Sequence, residues 1–497
     1  MSSQDLIGRY MAGQCSDAET RALQEALKSD PALRRAYLDH LNLETALEAR
    51  AEWALATHAT PRENTPLMDL GPQRPRRSLL PNSLLRAAAG VCLSFCGWWL
   101  WKHVSPPCAT VVACPGVRHL SPRSTLRKAL CEVPEGSIEL RTPLGARMVI
   151  EAPAVFQFES PSRLRLHQGR LSANIPPPAR GFTVVTASGE AVDLGTRFGV
   201  DVSDSGPAEV HVFEGEVREK ALGGVRQQPV RGGEAVTMDH GAGKPRDLRT
   251  SAFIQPEEIA PLQAALSAGQ ATIAARALDT LRQDPALITL LDFESTPPGP
   301  GQYRVVQGRW PGSKALEFRD VGHHFQLHAG GGKKWPQLTL AAWVRLDRVG
   351  GGRIQSLFHT NGWDRRNPGQ IHWSITTHGT LWLVCLPFQK QPVHEENTPR
   401  LPVQSRWVHL ASSYDSERHI LRHYLDGTLG LEMPLTETAP AVLGDAQIGN
   451  WDQYDRNLTG RVDEFLLMGR ILTPEEILAL YRSGTPYRDQ SDSLPRR

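Results

Sequence analysis

Net charge is what this sequence has least of: Lys+Arg 55 stand against Asp+Glu 53, leaving +2. No whole-chain field draws it towards nucleic acid, so nucleic acid is not an expected partner and electrostatic recognition must be local. Cysteine is sparse as well, at 7 in 497 residues, and no pair has the C-x-x-C spacing of a zinc site. Cys108 and Cys114 are the best-placed disulfide candidates if they meet an oxidising compartment; free, buried thiols are the alternative. The opening MSSQDLIGRY lacks the basic-then-apolar pattern of a secretory signal. Long apolar runs are nearly missing, with one exception at residues 84–104.

Glycine and proline, at 43 and 38, are plentiful and favour turns and β structure. The length predicts two to four domains. Residues 1–56 have helical periodicity, with Ser16 and Glu19 spaced as a capping box and Asp30-Pro31 as a second helix start. Three short helices form too small a core to stand alone, so this module is expected to lean on a partner. Residues 57–83 read as a Pro- and Arg-rich linker. The stretch 84–104 then has no charge from Ala87 to Trp101, and Trp98, Trp99 and Trp101 gather at one end as interfacial aromatics do. Its uncharged part is shorter than the roughly 20 residues of a usual span, and snorkelling of Arg86 and Lys102 makes up the difference. Arg74, Arg76, Arg77 and Arg86 precede it, which predicts a cytoplasmic N-terminus and extracytoplasmic C-terminal domains on an inner membrane.

From about residue 135 the apolar period changes to two. Residues 182–202, 208–217 and 231–236 read as strand, turn, strand, glycine corner, strand and hairpin, with Gly195 at the corner and Gly215 where a hairpin wants positive φ. The hydroxyls there fit strand faces, and no nucleophile stands beside a base. This stretch resembles the FecR family of periplasmic signalling domains through its L-G-T-R-F element at residues 194–198, the V-x-V-x-E-G-x-V element at 210–217 and Gly233-Glu234. The resemblance implies a small β fold over roughly 130–245. It also implies a cytoplasmic helical module that holds or activates an extracytoplasmic-function sigma factor. Residues 9–19 look like the opening of such an anti-sigma module, although the zinc motif carried by some anti-sigma factors is absent.

Residues 250–285 return to helical spacing and are expected to form a spacer. Strand-like alternation resumes over 286–484. G-x-V-D-E-F at residues 460–465 and L-T-P-E-E-I at 472–477, with Thr473 as an N-cap, resemble the laminin-G-like (concanavalin A-like) jelly-roll sandwich. The resemblance implies a domain that binds glycans or other surface ligands, often with calcium. Asp463 and Asp292 are the candidate calcium ligands, with ordinary solvated acids as the alternative. Trp363, Asp364, Asn450, Trp451 and Asp452 combine aromatic faces with amides and acids in loop-like contexts, the usual composition of a sugar site. Trp343, Trp373 and Trp407 are expected in the core, and His323, His324 and His328 are expected to be ordinary surface or core residues. Catalytic relatives of the fold use an E-x-D-x-x-E strand, and this triplet is missing.

The expected whole is a mainly β, multidomain protein: a helical bundle, one transmembrane helix, a FecR-like domain and a concanavalin A-like sandwich. Its expected function is non-enzymatic, regulating a sigma factor in response to a glycan or other surface ligand. An envelope adhesion protein with no regulatory role is the alternative.

Overall fold

A computed structural model describes residues 106–487, apart from short stretches at 203–206, 223–226, 239–242, 295–298, 350–352, 388–399, 403–405 and 454. The expected helical module and membrane segment lie outside the described residues. Among the described residues no helix is long and apolar enough to cross a membrane. The described residues fall within one compact unit.

The first β array has fourteen strands, from Ala109–Ala113 to Gly243–Arg246, and so begins well ahead of residue 130. Its spine is the antiparallel pair Arg147–Ser160 and Arg163–Asn174. The second of these strands is shared. Its first half pairs in parallel with Thr183–Thr186, and its second half pairs antiparallel with Arg197–Val202. One long strand therefore feeds two branches of the sheet, and Phe156, Phe158, Leu164, Leu166, Leu171 and Phe198 close a common core between them. Gly169 marks the division at φ +107, where a Cβ would meet the Cβ of Ala154 at 2.6 Å. The hairpin glycine expected at 215 has φ +86 and the corner glycine at 195 has φ +99.

Residues 250–285 are helical as expected, but they bridge rather than space. The helix Pro256–Ser267 opens with a capping box between Gln255 and Glu258. Just before it, Phe253 fills the space left by the missing side chain of Gly199, whose Cβ would come within 2.6 Å of the ring. The helix Gln270–Arg282 packs on the C-terminal helix Pro474–Gly484, where Gln270 Nε2 donates to the carbonyls of Arg482 and Ser483 at 2.6 and 2.9 Å. Thr473 caps that last helix with Glu476 in the reciprocal arrangement its sequence predicts.

The second β array is a sandwich of an eight-stranded and a six-stranded sheet. Gln337–Leu346 lies centrally, between Val408–Asp415 and Gly460–Met468. Leu338, Leu340, Ala342, Val344 and Leu346 point into the sandwich. The opposite side is buried too, because helices cover it: Ala341 packs with Leu472 and Ile477, and the Trp343 ring stacks on Tyr481 at 5.8 Å. That double burial explains why Ala341 and Trp343, on the side turned away from the sandwich interior, are apolar as well. Trp343, Trp373 and Trp407 are all core residues.

Between the arrays runs a buried seam of ion pairs. Glu317, with no exposed surface, accepts from Arg170 Nη2 at 2.5 Å and from Arg249 Nη2 at 2.9 Å. Arg461, from the sandwich, grips Glu151 of the first array with both guanidinium ends, at 2.7 and 3.2 Å. Arg170 also holds Asp201 at 3.0 Å, and Arg249 holds Asp347 at 3.1 Å. Arg345 reaches Glu258 on the bridging helix at 2.7 Å. Burial alone would raise the Glu317 carboxyl, but Arg170, Arg249 and Arg461 hold it well below the usual range.

Cys108 and Cys114 are free thiols, the second of the two alternatives open from the sequence. Both are buried in the core of the first array, and Cys114 Sγ turns to the carbonyl of Leu120 at 3.4 Å. Burial raises both thiol pKa values.

Candidate functional site

Two loops fold over the outer face of the six-stranded sheet from opposite ends, because their parent strands run antiparallel. One follows Gln355–Thr360 and returns as Ile371–Ile375; the other follows Asp445–Ile448. They meet above His359, where Gly362 and Trp363 of the first loop contact Trp451, Asp452 and Gln453 of the second. Trp363 lies over the His372 ring, with centroids 3.8 Å apart, and Trp451 stands edge-on to the same imidazole at 4.5 Å. Arg456 covers the Trp451 ring at 4.3 Å. Trp451 is buried and acts as a wall, whereas Trp363 is only partly buried and presents an aromatic face.

The acids and amides around this cluster differ in role. Asp452 accepts from the backbone N–H of Gly362 at 2.8 Å, tying the two loops together, and faces His359 Nε2 at 3.4 Å. Gln453 Nε2 donates to the carbonyl of Trp363 at 2.9 Å. Asn450 is buried and its Oδ1 accepts from the Arg456 N–H at 2.9 Å, so it braces its own loop. Asp364 is on the outer surface, paired with Arg366 at 2.7 Å. Trp363, Trp451 and Asp452 therefore converge; Asn450 stands behind them and Asp364 to one side.

Sequence reasoning missed His359, His372 and Arg456. The two histidines are cross-strand partners, a relation no local motif announces. Burial lowers the His372 pKa to about 2, with His359 and Arg456 adding to the effect. Burial also lowers His359 to about 4 against the opposing charge of Asp452. Both rings are neutral at physiological pH, so Trp363 rests on an uncharged aromatic support. A partly exposed indole with carboxylate and amide groups beside it can stack against the apolar face of a sugar ring, and those groups can hydrogen-bond its hydroxyls.

Asp463 and Asp292 lie elsewhere, on a cavity of about 310 Å³ together with Glu294 and Glu464. Asp463 Oδ2 accepts from the backbone N–H and Nε of Arg309, at 3.1 and 3.2 Å, and Glu464 pairs with the same guanidinium. Asp292 pairs with Arg282. Guanidinium groups and hard cations compete for the same oxygens, and these carboxylates as arranged hold arginines and do not form a calcium cage. Among the described residues no three Asp, Glu, His or Cys side chains are grouped to hold a metal ion.

One arginine cannot neutralise two buried acids. Burial pushes Glu464 up to about 7 against the pull of Arg309, and the charges of Asp463 and Asp292 add to the rise. An acid raised in the folded state contributes stability that is complete below its unfolded pKa, near 4.5, and is lost as pH climbs through about 7. Glu464→Gln is therefore expected to stabilise the protein at about pH 8, by ~1–3 kcal/mol, and to change little at about pH 4. Urea unfolding of parent and variant at both pH values measures this, and equal shifts at the two pH values would contradict it.

Residues 137–218 match the family model described as FecR protein, and residues 322–478 match the model described as the concanavalin A-like lectin/glucanases superfamily. The chain carries a FecR domain and a concanavalin A-like domain. Both resemblances drawn from the sequence are borne out. No curated protein matches the sequence. Similar solved structures include domain 4 of AbnA, a GH43 extracellular arabinanase from Geobacillus stearothermophilus, in complex with arabinotriose. It is 18% identical at a TM-score of 0.30, over 40% of this chain and 100% of that one. The CBM40 of the Ruminococcus gnavus IT-sialidase, bound to α2,3-sialyllactose, is 16% identical at a TM-score of 0.26, over 34% and 96% of the two chains. A putative anti-sigma factor from Parabacteroides distasonis is 18% identical at a TM-score of 0.22, over 26% and 65%. The aromatic cluster belongs to the concanavalin A-like domain, and the seam joins that domain to the FecR domain.

Proposed function

We propose that this protein is a non-enzymatic regulator of an extracytoplasmic-function sigma factor, governed by glycan binding at the concanavalin A-like domain. The observation that carries the reading is the buried ionic seam. It fastens a FecR domain to a sandwich whose loops present Trp363 on a neutral imidazole bed. Ligand bound at those loops would thereby act on the FecR domain as part of one body. In this reading residues 84–104 span the inner membrane, residues 1–56 face the cytoplasm and hold the sigma factor, and both β domains are extracytoplasmic. Trp363 stacks on the sugar, Trp451 and His372 hold it in place, and Asp452 joins the two loops.

The test has two arms on the full-length protein. Affinity capture from its native host is expected to enrich one sigma factor, and a glycan array is expected to show binding that Trp363→Ala weakens about tenfold or more at unchanged Tm. Glycan binding without any sigma factor would favour the adhesion reading. Array binding indifferent to Trp363→Ala would remove the proposed site.

A further inference from the structure

A second cavity, of about 280 Å³, opens where the FecR domain meets the sandwich, and five arginines line it. Arg246 and Arg249 come from the end of the FecR domain, and Arg319, Arg348 and Arg353 from the sandwich. Only two carboxylates share the lining, Asp247 and Asp320, and both are well exposed, at 80% and 48% of their side chains. Water screens such acids strongly, so they offset the arginines only in part.

Behind the lining the charges are consumed in pairs. Arg249 gives Nε to Asp347 and Nη2 to Glu317. Arg246 and Arg319 each give an Nη2 to Glu209, at 3.1 and 2.5 Å. On the lining itself one buried donor remains. Arg319, 91% buried by its side-chain exposure of 9%, keeps its Nε without a hydrogen-bond partner. A buried N–H left so is costly, and the usual remedy is an acceptor supplied by ligand or water. Arg348 stands at the rim, tied to Asp247 at 3.3 Å, and Arg353 is exposed beside it. Guanidinium groups lining one space suit an anion with two or more oxygens.

We propose that this interdomain cavity binds a small oxyanion or the anionic group of a larger ligand: a phosphate, or a carboxylate such as that of a uronic acid. The cavity shares Asn457 and Thr459 with the second aromatic loop, but Trp363, His372, Trp451 and Asp452 do not line it, and the proposal needs no assumption about glycan binding. Both domains build it, so an occupied site favours their docked arrangement.

The test measures thermal stability and calorimetric binding of the full-length protein with sodium phosphate, sodium glucuronate and, at matched ionic strength, sodium chloride. Phosphate or glucuronate is expected to bind with a Kd on the order of a millimolar or tighter and to raise Tm beyond the chloride control. The double variant Arg348→Gln/Arg353→Gln, altered only at the rim, is expected to fold normally and to bind at least about tenfold more weakly. Trp363→Ala is expected to bind both anions as the parent does. Binding of phosphate alone marks a phosphoryl ligand, and binding of glucuronate alone marks an acidic sugar; either supports the site. No effect beyond chloride, an unaffected double variant, or loss of anion binding in Trp363→Ala overturns it.

Discussion

Glu317→Ala is expected to cost the folded protein about 3–5 kcal/mol, because it removes the shared anion of the interdomain seam. Glu317 lies between Arg170 and Arg249 at hydrogen-bonding distance, with Arg304 and Arg461 at 3.6 and 3.8 Å. Without it Arg170, Arg249 and Arg461 keep their mutual repulsion while remaining out of water. The intact seam need not stabilise the fold more than an apolar contact of the same shape would; the penalty lies in breaking one side of it. An exposed pair is the control: Glu432→Ala, which removes the surface partner of Arg422, is expected to cost under about 1 kcal/mol. The effect of pH has a definite sign. Because the Glu317 pKa is depressed in the fold, its contribution is present above the unfolded value of about 4.5 and is lost as pH falls through the folded value. The parent should therefore lose more stability than Glu317→Ala on acidification. Denaturant unfolding at about pH 7 and about pH 3 measures both effects. A cost below about 1 kcal/mol at neutral pH would mean that the two domains do not depend on this seam.

The seam also marks where sequence reading stops. Features set by neighbours along the chain were legible: the corner at Gly195, the positive φ of Gly215, the Thr473–Glu476 cap, and the alternation that buries Leu338, Leu340 and Ala342. So were the two domain families, through L-G-T-R-F and G-x-V-D-E-F. Glu317 and Arg170 stand 147 residues apart, and neither differs in its local context from an ordinary surface charge. The same distance problem hides the partner of Asp463. Its carboxylate suits a cation by type, but Arg309, 154 residues earlier, supplies the cation. Residues 250–285 had a helical period that could be read, while the surfaces they bridge could not. At the aromatic site the residue types of Trp363, Trp451 and Asp452 were legible. The imidazole beneath them was not, because His372 reaches the cluster through strand pairing.

Trp373→Ala should produce the other large loss, about 3–5 kcal/mol, and separates the core from the ligand surface on a single strand. Ile371–Ile375 alternates, so His372 supports Trp363 on one side while Trp373 enters the sandwich on the other. Trp373 has no exposed surface and packs beside Phe465. Its Nε1 donates to Ser412 Oγ at 2.8 Å, and Ser412 Oγ is 2.7 Å from His423 Nδ1. Burial lowers His423 to about 3, so that imidazole is neutral and shares one hydrogen bond with the serine. Truncation to alanine opens a cavity and leaves Ser412 without its indole partner, and the two costs add. Trp373→Phe refills most of the volume but supplies no donor, so it should cost less, about 1–3 kcal/mol. The comparison with Trp363→Ala is the decisive one. That variant should lose glycan affinity at unchanged Tm, while Trp373→Phe should lose Tm and keep its affinity. If Trp373→Phe instead weakened glycan binding as strongly as Trp363→Ala, the recognition surface would depend on the sandwich interior, and Trp363 could no longer be assigned the contact.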